Sequence, residues 1–240
     1  MKLDLLVIAV HPDDAELGAG GVLAKYAELG KKTGIVDLTR GELGSRGTAE
    51  TRMVESQEAA KILNLSVREN LGFRDGFFKN DEEHQLKLIQ VIRKYQPEIV
   101  ITNAFEDRHP DHGRASALVN DALFLSGLIR IETQDEKGNQ QQPFRPQLQL
   151  QFVQDRFIQP DILIDITPYW DIKEKSVLAY KTQFNSNTEE DGPQTYISNP
   201  VFMESTKARA LELGRSIQVR YAEGFTCRRI LGVKSLFDLV

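Results

Sequence analysis

Short apolar runs alternate along this chain with longer stretches of mixed polarity. Residues 3–10 close on LLVIAV, an unbroken apolar run of strand length that suits a strand buried on both faces. An amphipathic helix is predicted at 16–29, a strand at 34–38, a glycine-rich loop at 41–47 and a helix at 49–63. A short strand at 67–71, a helix at 81–95 and a fourth strand at 98–102 follow. The second half predicts strands at 148–153 and 162–166, a helix at 171–181, a polar loop through 193 and a helix at 202–219. Alternating strands and helices predict right-handed crossovers, hence an α/β fold with a Rossmann-like, mostly parallel sheet and helices on both faces. One domain spanning 1–240 accommodates every element.

One segment breaks the alternation. Residues 132–146 contain DEKGNQQQP and almost nothing apolar, so they read as an exposed or disordered excursion without a role of its own.

Charge and composition narrow the partners. A net charge of -5 argues against a nucleic-acid or anionic-membrane surface, both of which favour a basic excess, and leaves small-molecule chemistry. The single cysteine, Cys227, closes no intrachain disulfide, so folding needs no oxidising compartment and the expected location is the cytoplasm. The run at 3–10 is short and carries Asp4, which fits neither a signal peptide nor a membrane span, and no other stretch reaches bilayer length.

The chemistry sits where strands end. VHPDDAE, residues 10–16, places Asp13, Asp14 and Glu16 together directly after the first strand. Clustered carboxylates repel one another unless a positive charge lies between them. RHPDH, residues 108–112, follows the fourth strand, so three of the four histidines, His11, His109 and His112, stand after two strand ends. The fourth, His84, neighbours Asp81, Glu82 and Glu83 and reads as a solvated surface residue. In a doubly wound sheet strands one and four can be neighbours at the point where strand order reverses, and ligands bind there. His11, one of the two aspartates and one histidine of the second motif would then leave a fourth tetrahedral position open, the pattern of a catalytic rather than a structural zinc. The remaining aspartate could accept a proton from water, and the remaining histidine could stabilise an oxyanion or protonate a leaving amine.

Other readings of the same residues stay open at this point. A single aspartate could be a plain helix N-cap. Two histidines and a carboxylate also make the facial triad of non-haem iron oxygenases. Gly18, Gly20 and Gly21 suggest a dinucleotide fingerprint, yet Leu23 occupies the place of the third glycine and the HPDD carboxylates would repel a pyrophosphate. A sugar-binding protein without catalysis is a further possibility.

At HPDD and HPDH the sequence resembles the LmbE-like, or PIG-L, family of zinc-dependent N-acetylglucosaminyl deacetylases. HPDDAELGAGGVLAKYAELGK, TRGELGSRGTAETR, AYKTQF and ARALELGRSIQVRYAEGF extend the likeness over nearly the whole chain, and they are similar to the bacillithiol-pathway branch acting on N-acetylglucosaminyl-malate. The resemblance implies an LmbE-like fold and zinc, or another divalent metal such as Fe2+, held by His11, Asp14 and His112. It further implies Asp13 as general base, His109 as acid or oxyanion partner, and Asp111 as the residue that orients His109. Arg52 and Arg108 would hold an acidic aglycone, since arginine grips a carboxylate in bidentate fashion, and Tyr196 would assist the oxyanion. A homo-oligomer, a hexamer being one form, is also implied, as is an amino-sugar substrate; deacetylation of other N-acetylglucosamine sugars is the alternative.

Overall fold

The run that follows Asp4 forms β1 (Leu5–Ala9), all five residues of which are buried. A computed structural model describes residues 1–184 and 192–239 of the chain. Parallel to β1 lie β2 (Thr33–Thr39) and β4 (Ile99–Thr102), its two neighbours, with β3 (Val67–Phe73) beyond β2 and β5 (Leu148–Phe152) beyond β4. β6 (Ile162–Asp165) and β7 (Ala222–Thr226) complete a seven-stranded sheet of order β3-β2-β1-β4-β5-β7-β6. β7 is antiparallel to both of its neighbours. The chain winds outward from β1 through β2 and β3 and returns to β4 on the other side, so strand order reverses between β1 and β4.

Alternate residues of β1 feed two separate cores, as strand geometry requires. Leu6 and Ile8 pack with α3 (Glu82–Tyr95) and α4 (Pro110–Leu125) through Leu88, Ile92, Leu118 and Val119. Leu5, Val7 and Ala9 pack on the opposite face with α1 (Asp14–Glu28), α5 (Trp170–Leu178) and α7 (Pro200–Ser216). α2 (Ala49–Ile62), which opens on a capping box at Thr48, and the single turn α6 (Lys181–Phe184) complete the α-helices among the described residues. The architecture is therefore the α/β fold with a mostly parallel, helix-covered sheet that the alternation predicts.

Close approach of α1 to the sheet explains its glycines. A Cβ on Gly18 would lie 2.3 Å from the Phe152 ring, and one on Gly21 would lie 2.7 Å from Ile166. Neither glycine belongs to a phosphate-binding turn, since both are inside the helix. The dinucleotide reading therefore has no loop to rest on.

Several expectations need correction. α1 begins at Asp14, two residues before the predicted start, so the second aspartate of HPDD belongs to its first turn. α4 was absent from the predicted elements although Ala115, Leu118, Val119 and Ala122 are buried at helical spacing. β7 was also unpredicted, because AEGFT is too short and too mixed to announce a strand. The 132–146 excursion is largely exposed, as expected, but it is held in place rather than disordered. Gln134 bridges to Gln140, and Arg93 donates to the carbonyls of Ser126, Leu128 and Ile131 and to Thr133 Oγ1, fastening the approach to it. His84 is largely covered, with Nδ1 2.6 Å from the Asp81 carboxylate and its ring set edge-on to Phe73. Part of the polar loop predicted to run to 193 lies outside the described residues.

Candidate active site

The two motifs meet where the sheet topology brings them together. The loop after β1 carries His11, Asp13 caps α1 and Asp14 begins it; the loop after β4 carries Arg108 and His109, and Asp111 and His112 lie in the first turn of α4. Asn103, just past β4, joins them: its Oδ1 accepts the Val10 N–H at 3.0 Å and its Nδ2 donates to Asp14 Oδ2 at 3.1 Å. The rings of His11 and His109 are 4.8 Å apart between centroids, those of His109 and His112 5.4 Å, and those of His11 and His112 5.8 Å. All three offer ring nitrogens within 4.8 Å of one another.

Each of two histidines has one nitrogen committed and one turned inward. His11 Nε2 is 2.9 Å from Asp75 Oδ1, and His112 Nδ1 is 2.7 Å from Asp107 Oδ2. The other nitrogens face a single atom, Asp14 Oδ2, with His11 Nδ1 at 3.4 Å and His112 Nε2 at 3.3 Å. Histidines that bind metal characteristically give their second ring N–H to a carboxylate, which fixes tautomer and orientation. His11, Asp14 and His112 thus fit a divalent cation, with His109 close enough to be a competing donor. Without one, burial alone would lower the histidine pKa values, but the flanking carboxylates outweigh it, raising His11 to about 10 through Asp14 and Asp75 and His112 to about 9 through Asp14 and Asp107. Burial works against ionisation of Asp14 as well; His112 and His11 overcome it and hold the carboxyl well below its usual range.

Asp13 has a different environment. It occupies the N-cap position of α1 with φ 119° and ψ −29°, left-handed values that non-glycine residues rarely adopt, and its side chain makes no capping hydrogen bond. The plain N-cap reading therefore fails for Asp13. Burial raises its pKa to about 7, against the pull of Arg52, whose Nη2 is 3.6 Å from Asp13 Oδ2. Arg52 is itself buried, and its guanidinium is held by Gln183 Oε1. It does not pair with Glu55, which instead accepts hydrogen bonds from the backbone N–H and hydroxyl of Thr182.

His109 caps α4, and its Nδ1 accepts the Asp111 backbone N–H at 3.3 Å. The neutral ring therefore carries its proton on Nε2. Burial and the neighbouring His11 and His112 lower its pKa, favouring that neutral form. Asp111, expected to orient His109, touches that ring through its backbone N–H alone; its carboxylate accepts the Gly76 N–H at 2.8 Å and pairs with Arg114.

These groups open into a cavity of about 380 Å³ lined by His11, Asp13, Asp14, Arg52, His109 and His112. Arg108 and Tyr196 line it too, so Asp111 alone among the sequence-predicted site residues does not. Sequence reasoning missed Asp75, Asp107, Asn103 and Gln154, whose Nε2 donates to Asp14 Oδ1 at 2.6 Å. Three of them carried a readable signal, being polar residues placed shortly after β4 or β5. Asp75 follows β3 at the same end of the sheet, but no strand-four-like motif flags it.

Comparison with known proteins finds relatives in both sequence and fold. The PIG-L family, described as GlcNAc-PI de-N-acetylase, matches residues 6–123, the portion that holds both motifs. The conserved protein TT1542 from Thermus thermophilus has a solved structure that is 40% identical with a TM-score of 0.84, covering 97% of this chain and 98% of that one. The diacetylchitobiose deacetylase of Thermococcus kodakarensis is 26% identical over 92% of this chain and 81% of its own length. The 4-oxalmesaconate hydratase of Pseudomonas putida is 27% identical over 72% of this chain and 70% of its own. With both histidine-aspartate motifs converging on one cavity, the chain belongs to the PIG-L, or LmbE-like, family of deacetylases.

Proposed function

We propose that this amide hydrolase removes acetate from N-acetylglucosaminyl-malate, a step of bacillithiol synthesis, in the cytoplasm and as a homo-oligomer. The observation that carries the hydrolytic part is the pairing of two carboxylate-oriented histidines, both facing Asp14, with a separate buried Asp13. The malate aglycone is supported by the cations of the cavity wall, among them Arg108 and Arg209, since malate brings two carboxylates. Among the described residues no helix is long and apolar enough to cross a membrane, in keeping with a small, water-soluble substrate.

In this reading His11, Asp14 and His112 hold Zn2+, or Fe2+ in its place. Such a cation supplies Lewis acidity, making water nucleophilic near neutral pH and polarising an amide carbonyl. Asp13, buried beside Arg52, takes a proton from the attacking water and delivers it to the departing nitrogen. His109 Nε2–H hydrogen-bonds the carbonyl oxygen as negative charge builds there, and Tyr196 lies in the same cavity wall. The C–N bond breaks, giving acetate and the free amine. Arg52, buried against Asp13, serves in holding that carboxylate in place and in balancing its charge.

The test compares acetate release from N-acetylglucosaminyl-malate and from free N-acetylglucosamine. The malate glycoside is expected to be the better substrate; equal rates would remove the malate assignment, and absence of acetate from both would favour water addition of the hydratase kind. Asp13→Ala is expected to keep its metal and lose about 10²- to 10⁴-fold in turnover, whereas His112→Ala loses both metal and turnover. Metal content by elemental analysis separates the two variants.

A further inference from the structure

One carboxylate at the cavity rim ties together three parts of the chain that the mechanism uses separately. Asp155 follows β5, Arg108 lies between β4 and α4, Tyr196 precedes α7, and Arg209 is on α7. Asp155 Oδ1 accepts the Tyr196 hydroxyl at 2.9 Å, its Oδ2 accepts Arg108 Nε, and its backbone carbonyl accepts Arg209 Nη2. The Arg108 guanidinium stacks on the Tyr196 ring, 4.4 Å from its centroid. Only Nε of Arg108 is engaged. Its two Nη groups have no hydrogen-bond partner among the described residues, and the side chain is 48% exposed while that of Asp155 is 17% exposed.

We propose that Asp155 is a specificity-determining residue that sets how strongly the cavity takes a negatively charged aglycone. The inference rests on the reading above, in which Arg108 meets the aglycone. Asp155 does two opposing things to Arg108. By accepting from Nε it orients the planar fork and leaves the Nη pair free for a second carboxylate. By standing beside the guanidinium it cancels part of the charge that attracts that carboxylate. An anionic ligand at Arg108 is therefore held by geometry and restrained by like-charge repulsion from Asp155, whereas a neutral sugar feels only the geometry.

Asparagine separates the two effects. Its amide oxygen can accept from Arg108 Nε and its NH₂ can donate to the Tyr196 oxygen, so the shape of the cluster survives while the charge goes. In Asp155→Asn the ratio of kcat/KM for N-acetylglucosaminyl-malate to that for N-acetylglucosamine is expected to rise about three- to fivefold, the span of a partly exposed ion pair. The rise should vanish in an Arg108→Gln background. A ratio that stays level or falls, or a rise that persists without Arg108, overturns the proposal. Should the wild-type enzyme release no acetate from the malate glycoside, the substrate reading fails on its own. The comparison then uses L-malate as inhibitor of whichever of N-acetylglucosamine or N,N'-diacetylchitobiose is turned over. A lower inhibition constant in Asp155→Asn supports the role of Asp155, and an unchanged one ends it.

Discussion

Two neighbouring aspartates, alike in sequence, are made unlike by a single backbone rotation. Asp14 enters α1 with its carboxylate among histidines, while Asp13 is held at φ 119° against Arg52. That conformation costs a non-glycine residue about 1–3 kcal/mol, and glycine is free of the Cβ clash that causes it. Asp13→Gly is therefore expected to be about 1–2 kcal/mol more stable to urea than Asp13→Ala in metal-free protein, although both lose most of their turnover. Equal stabilities would mean that no strain resides at residue 13. The histidines give a second expectation. Their raised folded-state pKa values stabilise the metal-free protein fully below about pH 6.5. That contribution is lost as pH climbs through about 9 for His112 and about 10 for His11. Metal needs the neutral rings, so binding at pH 7 must expel protons and apparent affinity must rise with pH towards those values. Calorimetry of Zn2+ binding in buffers of different ionisation enthalpy reads the proton count directly; a count of zero would place the metal elsewhere.

At the scale of elements, α1 is the piece on which the site depends, and its glycines are a packing requirement. Replacing Gly18 by alanine should gain about 1 kcal/mol in helix propensity. The new Cβ would, however, meet the ring of Phe152, which is fully buried and has nowhere to turn. Overpacking of that kind costs about 1–3 kcal/mol, so clash outweighs propensity and Gly18→Ala is expected to lose up to about 2 kcal/mol net. Phe152→Leu in the same chain should return part of the loss, measured by denaturant midpoint. This helix also marks the limit of pattern reading. Its apolar residues announced a helix, but the start at Asp14 depends on a strained turn that no propensity reveals. α4 carries a clear helical spacing of buried residues, and its start is written as the Pro-containing turn of RHPDH. β7 is different: AEGFT owes its strand state to pairing with β5 and β6, contacts far away in sequence.

For the whole molecule, topology converts two distant motifs into one site. The sheet order puts the end of β4 beside that of β1, and the residues fastening the junction, Asn103 among them, are neutral or acidic side chains with no motif of their own. The candidate metal donors and proton acceptor could be picked out because histidines are scarce here and cluster after two strands. The supporting groups Asp75 and Asp107 were not, since a lone aspartate beside a strand end has many ordinary uses. Arg52 was legible as a site residue, yet its closeness to Asp13 shows only when the space made by Gly41, where a Cβ would collide with its guanidinium, is seen.

The reversed strand β7 has one more consequence. Its Glu223 accepts the backbone N–H groups of Gly21 and Val22 inside α1, at 2.9 and 2.8 Å, and pairs with buried Lys173, which also donates to the Leu17 carbonyl. The helix that presents Asp14 is thus latched from the far side of the sheet by residues that come long after HPDH in the chain. A graft of residues 6–123 alone would transplant both motifs but strip α1 of Phe152, Ile166 and this latch, leaving its glycine face in water. Anyone borrowing this chemistry for another scaffold must bring the opposite border of the sheet along with it.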